Sequence, residues 1–350
     1  MIVEPLCDEN EWNEFVAASP KGTFFHTLKW RDVLEKSFPY ESSYLCIRDS
    51  DDRLVGVCPF FITKKLWPFK VLDSLPESDL GGPLFIEEFK KNAAYTLNKY
   101  LSKLSVTEGI TYTKMRLSDR DLCEYLKTTV SRVDCSSGTM VLDLEEKPID
   151  TIWNEVFEHK QRKYINRFER DGFNTNSGTD ITGLEKFYTL YRHNWKNSGY
   201  PSNFLFFENM FNLLYPKHFS ITLIEIDGKC IAAGMNFNYE EKETVYMTGV
   251  ALDKEMSSRY KIYYKLRWET IKSAYDNGYR YISLGPTPLD SSEAHHQIKS
   301  KFGAKLNQDY NLYVPHNEKM FFMRDSVINI GRKAKKILPK ALLNEVSRRI

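Results

Sequence analysis

Ile221-Thr222-Leu223-Ile224-Glu225-Ile226 leads into Asp227-Gly228-Lys229 and returns as Cys230-Ile231-Ala232-Ala233-Gly234-Met235-Asn236-Phe237. A β-branched run, an Asp-Gly turn and a second run with a glycine near its middle predict a β-hairpin. The pattern has an earlier copy. Tyr44-Leu45-Cys46-Ile47-Arg48-Asp49 leads into Ser50-Asp51-Asp52 and returns as Leu54-Val55-Gly56-Val57-Cys58-Pro59-Phe60-Phe61. Each copy follows helical stretches that carry tryptophan and other aromatics: Glu11 to Val16 with Trp30 to Phe38, and Leu184 to Trp195. Two such units predict a duplicated α/β domain with a substrate groove where the halves meet. Strand–turn–strand units also recur in mixed proteins that are not duplicated.

At 350 residues the chain is long enough for two ordinary domains, and 42% hydrophobic residues can fill their cores. The 22 Phe and 21 Tyr suit sheets and aromatic-lined grooves. A net charge of +2 gives no global pointer to nucleic acid. No apolar run approaches the ~18 residues of a membrane span. Met1-Ile2-Val3-Glu4-Pro5 has neither a basic start nor an apolar stretch, so no signal peptide is expected. Cysteines stand at 7, 46, 58, 123, 135 and 230 without a Cys-x-x-Cys pair. That pattern predicts reduced, buried thiols in a cytoplasmic protein, not zinc ligands or a disulfide framework.

Residues 1–40 are expected as helix, turn, helix, and Phe38 to Ile62 as the first hairpin. Lys64 to Pro83 is a long connection holding Trp67-Pro68 and Gly81-Gly82-Pro83, where the chain turns sharply. Phe89, Ala93, Leu97 and Leu101 mark one face of a helix over Glu87 to Leu104. Ile110 to Leu117 and Ser136 to Leu144 are predicted strands. Pro148 marks the boundary, giving domains 1–147 and 148–318 and a basic tail, 319–350. The second half opens with one basic helix over Ile149 to Gly172. A helix capped at Asp180 or Thr182 and another over Phe204 to Leu214 follow. After the hairpin come a strand over Glu243 to Leu252, a loop over Asp253 to Lys261, and a helix over Ile262 to Asn277 closed by Gly278. A strand from Tyr279 to Leu284 ends at Gly285-Pro286-Thr287.

Strand, loop, helix and short strand over Glu243 to Gly285 is the central unit of acetyltransferase-like folds of the GNAT type. In coenzyme A users the loop is glycine-bearing, and its bare amides grip a pyrophosphate at the helix N-terminus. Ser257-Ser258-Arg259-Tyr260-Lys261-Ile262-Tyr263-Tyr264 holds no glycine, which disfavours that mode of binding.

The chain resembles the Fem-type (FemAB-like) aminoacyltransferases, which build peptidoglycan cross-bridges from aminoacyl-tRNA. The resemblance spans roughly residues 8–315. It rests on Phe24-Phe25-His26-Thr27-Leu28-Lys29-Trp30, Leu75-Pro76-Glu77-Ser78-Asp79-Leu80-Gly81-Gly82-Pro83 and Lys160-Gln161-Arg162-Lys163-Tyr164-Ile165-Asn166-Arg167. Tyr246-Met247-Thr248-Gly249, Leu284-Gly285-Pro286-Thr287 and Ile298-Lys299-Ser300-Lys301-Phe302-Gly303 complete it. These marks do not separate the aminoacyl branch of the superfamily from its acyl branch, and the extended coiled-coil arm of some Fem members is absent. The resemblance implies mixed α/β sheets in two tandem GNAT-like domains with a groove between them.

It also implies a site. The motif lysine, Lys299 or its competitor Lys301, stabilises negative charge as a carbonyl is attacked. Asp79 either accepts the proton of the attacking amine or caps the glycine bend as an Asx turn. Trp30, Lys160, Arg162, Asn166, Tyr246 and Gly285 fall at substrate-binding positions, although Trp30 and Tyr246 also suit a core. Arg162 and Asn166 share a helix face. Lys160, Arg162, Lys163, Arg167 and Arg170 form a cationic stretch fit for a diphosphate or a tRNA end, or simply a solvated face. His295-His296 has no carboxylate spacing that supports a metal.

The expected function is transfer of an acyl or aminoacyl group onto an amine of a cell-envelope precursor, an amino sugar or a peptide stem. No tightly bound cofactor is expected, and the donor is aminoacyl-tRNA or an acyl-CoA or other acyl thioester. The alternative is a non-catalytic module of the same fold in a surface-glycan assembly complex. Arg332, Lys333, Lys335, Lys336 and Lys340 intermix with apolar residues in the tail. That mixture suits peripheral contact with an anionic membrane, or packing on the body.

Overall fold

Alternating β-branched and aromatic runs form the strands of two mixed sheets in the computed structural model. It describes all residues except 7, 67, 178–179, 196–202 and 338–350. In chain order the strands are β1 (Ile2–Pro5), β2 (Glu41–Arg48), β3 (Leu54–Leu66), β4 (Phe69–Asp73), β5 (Leu84–Phe85), β6 (Tyr112–Leu117) and β7 (Arg132–Asp134). The rest are β8 (Ser137–Asp143), β9 (Asn174–Ser177), β10 (Phe219–Ile226), β11 (Lys229–Tyr239), β12 (Thr244–Leu252), β13 (Tyr281–Pro288), β14 (Lys305–Gln308) and β15 (Tyr310–Pro315).

The first sheet runs β1-β2-β3-β4-β6-β15-β7 and the second β9-β10-β11-β12-β13-β8-β14. Both hairpins form as predicted, as β2–β3 and β10–β11. In each half four antiparallel strands are followed by a parallel pair, β4 with β6 and β12 with β13, whose crossover carries a helix, Lys90–Glu108 or Ile262–Asp276. The halves are thus topological repeats of one α/β unit.

The change of sheet does not fall at Pro148. β8, which precedes the boundary, pairs with β13 in the second sheet, and β15 returns to pair with β6 in the first. The halves exchange a strand, which local patterning cannot show. β4, inside the expected connection, is also a strand, while Trp67 lies outside the described residues. The basic segment over Ile149 to Gly172 is not one helix. A π turn at Ile152–Val156 precedes the helix His159–Arg170.

One hydrophobic core crosses the seam. Phe24, Phe25 and Trp30 of the first half are buried with Phe206, Phe237 and Tyr246 of the second. Phe24 stacks on Phe237 at 5.2 Å between ring centroids. Aromatic contacts of this kind add to area burial and hold the two units in fixed relation. The root of the tail packs on the body. Phe321 in the helix Glu318–Ile337 is 2% exposed, packed with Val71 and Tyr112, and Arg324 lies 4.7 Å over the Tyr112 ring. The remainder of the tail, including Lys340, lies outside the described residues.

Candidate active site in the seam

The pairing of β12 with β13 ends at Tyr246 and Ser283, so the strands part beyond that point. The register of β13 against β8 slips between Ser283 and Pro286, with Gly285 at φ +76°. That backbone conformation favours glycine. Lys299, on the short helix Ala294–Ser300, is 7% exposed and holds this irregular stretch. Its Nζ donates to Gly285 O at 3.2 Å, Pro286 O at 2.7 Å and Thr287 Oγ1 at 3.0 Å. Three acceptors match the three hydrogens of an ammonium. Burial and then the neighbouring Arg267 guanidinium push its pKa down to about 8. Lys301 is exposed.

Asp79 enters the fork from the first half, on the loop after β4. Ser74 Oγ donates to Pro59 O and accepts from Gly82 N, while Gly81 N donates to Arg116 O at 2.9 Å. Trp30 Nε1 donates to Ser78 Oγ at 2.7 Å. His26 Nε2 lies 3.2 Å from Gly82 O, and burial lowers its pKa to about 4. Since both glycine amides are engaged elsewhere, Asp79 caps neither. Asp79 is half-buried as a residue, but its Oδ2 is sealed from solvent and has no hydrogen-bond partner among the described residues. A Cβ on Gly285 would lie 3.5 Å from that oxygen, which places the carboxylate against the irregular stretch. Burial raises the Asp79 pKa above the usual carboxylate range, against the pull of Arg116 and Lys299.

Three residues that the sequence reading missed complete the cluster. Arg116 on β6 donates to Asp309 Oδ2 at 2.7 Å, and Thr139 Oγ1 on β8 donates to the same oxygen at 2.9 Å. Asp309, between β14 and β15, therefore ties the two sheets where they exchange strands. Arg267 projects from the helix Ile262–Asp276 and is 6% exposed. Arg116 Nε, Arg267 Nε and Asp309 Oδ1 also have no partner among the described residues. Arg116, Arg267 and Lys299 against Asp79 and Asp309 leave a net positive charge, and it grows if Asp79 is protonated. The available signal was an arginine in an apolar strand, Met115-Arg116-Leu117, and one inside a helix face, Leu266-Arg267-Trp268.

The other predicted positions do not join this cluster. Arg162 donates to the carbonyls of Trp153, Asn154 and Phe157, closing the π turn. Asn166 and Lys160 are exposed, with Lys160 6.0 Å over Tyr164. Helical spacing correctly put Arg162 and Asn166 on one helix, and the three carbonyl contacts of Arg162 all come from Nη1. Arg167 and Arg170 both pair with Asp171. Trp30 and Tyr246 are 1% and 7% exposed and are core aromatics of the seam. His296 Nδ1 lies 2.9 Å from Pro288 O.

The expected loop at Asp253 to Lys261 is a helix, Lys254–Tyr260, with Lys261 at φ +58° leading into the next helix. Ser257 N and Lys261 N are already hydrogen-bonded to Asp253 O and Ser257 O. Buried Tyr260 packs against Phe168 and meets Phe173 edge to face. A helix thus stands where coenzyme A users carry a glycine-bearing loop.

Residues 157–295 match the acetyltransferase (GNAT) domain family. No curated protein matches the chain by sequence. Among solved structures, FemX is similar over 92% of this chain and 99% of its own, with a TM-score of 0.70 and 14% identity. A tandem GNAT protein from the clavulanic acid biosynthesis pathway aligns over 89% and 97%, with a TM-score of 0.60 and 9% identity. L-PGS from Bacillus licheniformis aligns over 91% and 94%, with a TM-score of 0.58 and 14% identity. The chain is a GNAT-fold protein. Its fold is similar to that of FemX over nearly the whole of both chains.

Proposed function

We propose that the chain is an N-acyltransferase that moves an acyl or aminoacyl group onto an amine of a cell-envelope precursor, with its chemistry in the seam. The observation that carries this reading is Asp79. A carboxylate from one half, raised in pKa and partnerless at Oδ2, faces a stretch of the other half fixed by a buried lysine. The amine nitrogen attacks the donor carbonyl carbon, forming the C–N bond and placing negative charge on the carbonyl oxygen. Collapse breaks the bond to the leaving oxygen or sulfur, which takes a proton. Asp79 takes the proton lost by the nitrogen. Lys299 acts through its charge and by holding Gly285 to Thr287 in shape, since its N–H groups are engaged. Together with Arg116 and Arg267 it makes the fork favourable for a developing oxyanion.

The helix at Lys254–Tyr260 supports aminoacyl-tRNA over acyl-CoA as donor. The Fem-type sequence marks support a peptide stem or amino sugar as acceptor. The test offers aminoacyl-tRNA and an acyl thioester separately to the purified protein with envelope precursors, and follows mass added to an amine. Transfer lost in Asp79→Asn supports the reading, and no transfer from either donor sinks it. The engaged state of all three Lys299 hydrogens favours one second reading, a non-catalytic module of the same fold. Envelope function retained in cells after Asp79→Asn and Lys299→Met would select it.

A further inference from the structure

The helix Ile262–Asp276 carries Arg267 into the ionic cluster and, further along, faces β10 and β11 across an open cleft of about 550 Å³. Three walls of this cleft present uncharged polar side chains. Ser220 and Thr222 alternate on β10, Asn236 and Asn238 on β11, so each pair shares one face of its strand. Ser220 and Asn236 are cross-strand partners. The third wall is Thr270, Ser273 and Asn277, spaced three and four apart along the helical segment. Thr222 and Asn236 are 2% and 3% exposed. The Asn236 amide nitrogen reaches Thr222 Oγ1 at 3.5 Å, at the long limit of a hydrogen bond.

A helix laid on a sheet normally buries apolar residues between them, because unpaired buried polar groups are costly. The first half does so. Aligning the hairpins puts Phe60 and Ile62 where the second half has Asn236 and Asn238. Phe60 and Ile62 pack in one core with Leu97 and Leu101 of the helix Lys90–Glu108. The same layer is sealed in one repeat and left polar in the other, on sheet and helix alike. Matched departures on separate elements point to a ligand.

We infer that this cleft binds a neutral polyhydroxylated ligand, a sugar ring. Hydroxyls and carboxamides both donate and accept, as sugar hydroxyls do. The half-buried ring of Tyr279 offers an apolar face at the rim. The cleft does not suit anions: Lys217 at the rim pairs with Glu240 at 3.1 Å, and Glu243 adds negative charge. Its volume is typical of small-molecule sites, about 300–1,000 Å³. It shares no lining residue with the cluster around Asp79, so this inference is independent of the transferase reading.

The test is titration of the full chain with glucose, N-acetylglucosamine and glucuronate, followed by NMR of the Asn236, Asn238 and Asn277 side-chain amides. Saturable shifts are expected with at least one neutral sugar and weaker ones with glucuronate. Asn236→Phe with Asn238→Ile, copying the first half, should keep the fold and weaken binding at least roughly tenfold. If that pair does not fold, Asn236→Ala with Asn238→Ala should weaken binding likewise. Absence of saturable shifts with both neutral sugars overturns the inference, as does undiminished affinity in a folded double variant.

Discussion

The two halves share strand order, hairpin and crossover helix, yet they put the same positions to different use. In the first half the layer between sheet and helix is closed by Phe60, Ile62, Leu97 and Leu101. In the second it opens into a cleft walled by Thr222, Asn236, Thr270 and Ser273. The loop after the fourth strand diverges too. In the first half it is an irregular, glycine-bearing segment that delivers Asp79 to the seam. In the second it is the helix Lys254–Tyr260. The first half thus supplies a carboxylate and a rigid core, and the second supplies Lys299, Arg267 and an open polar surface. One repeated scaffold thus presents different side chains at equivalent places in its two copies.

The sharpest break of this comparison is Asp79→Asn. It should lower kcat/KM by about 10²–10⁴-fold while leaving the thermal transition in place. In the unaltered protein, activity should be lost as pH falls through the raised Asp79 pKa, because the carboxylate must be free to accept a proton. It should fall again above pH about 8, where Lys299 loses its ammonium proton. A pH profile in which the acid limb survives in Asp79→Asn would assign that limb to another group.

Next in size are two stability effects. Asp309 is fully buried and ties Arg116 to Thr139, so Asp309→Ala leaves a half-buried guanidinium unpaired at the strand exchange. The expected cost is about 3–5 kcal/mol in urea unfolding. Phe60→Ala should cost a similar 3–5 kcal/mol or so, by opening the sealed layer of the first half. Its counterpart Asn236→Ala should cost less than about 1 kcal/mol, since the hydrogen bond it loses to Thr222 is long. Equal costs at the two positions would mean that Asn236 belongs to a structural network rather than to a binding cleft.

The smallest predicted difference concerns the tail. A chain ending at residue 317 loses Phe321 and should be less stable by about 1.5–3 kcal/mol. A chain ending at 328 keeps that anchor and should unfold at the same temperature as the full chain. Binding of the full chain to anionic vesicles, lost in the chain ending at 328 and weakened by salt, would identify the basic segment as a membrane contact. Equal vesicle binding by both chains would end that idea.

Turn chemistry and periodicity made both hairpins, the helices after them and the duplication legible, because each is specified by neighbours within a few residues. The missing glycine before Ile262 was legible too, and the structure fills that place with a helix. Lys299 could be named as the motif lysine, with Lys301 competing, but not that it is buried or that its ammonium hydrogens end on Gly285, Pro286 and Thr287. Arg162 makes the same point. Its helix position was legible, and only the π turn beside it revealed that its Nη1 is held by three backbone carbonyls.

By itself the sequence determined the α/β class, the paired hairpins and the strand–helix–strand crossover of the second half. Tertiary structure decided the strand exchange and the ionic cluster. Arg116 and Asp309 stand 193 residues apart, and no local pattern couples their charges. They meet because β15 completes the first sheet while β8 completes the second, which seals the Asp309 carboxylate between the sheets and leaves Arg116 as its ionic partner.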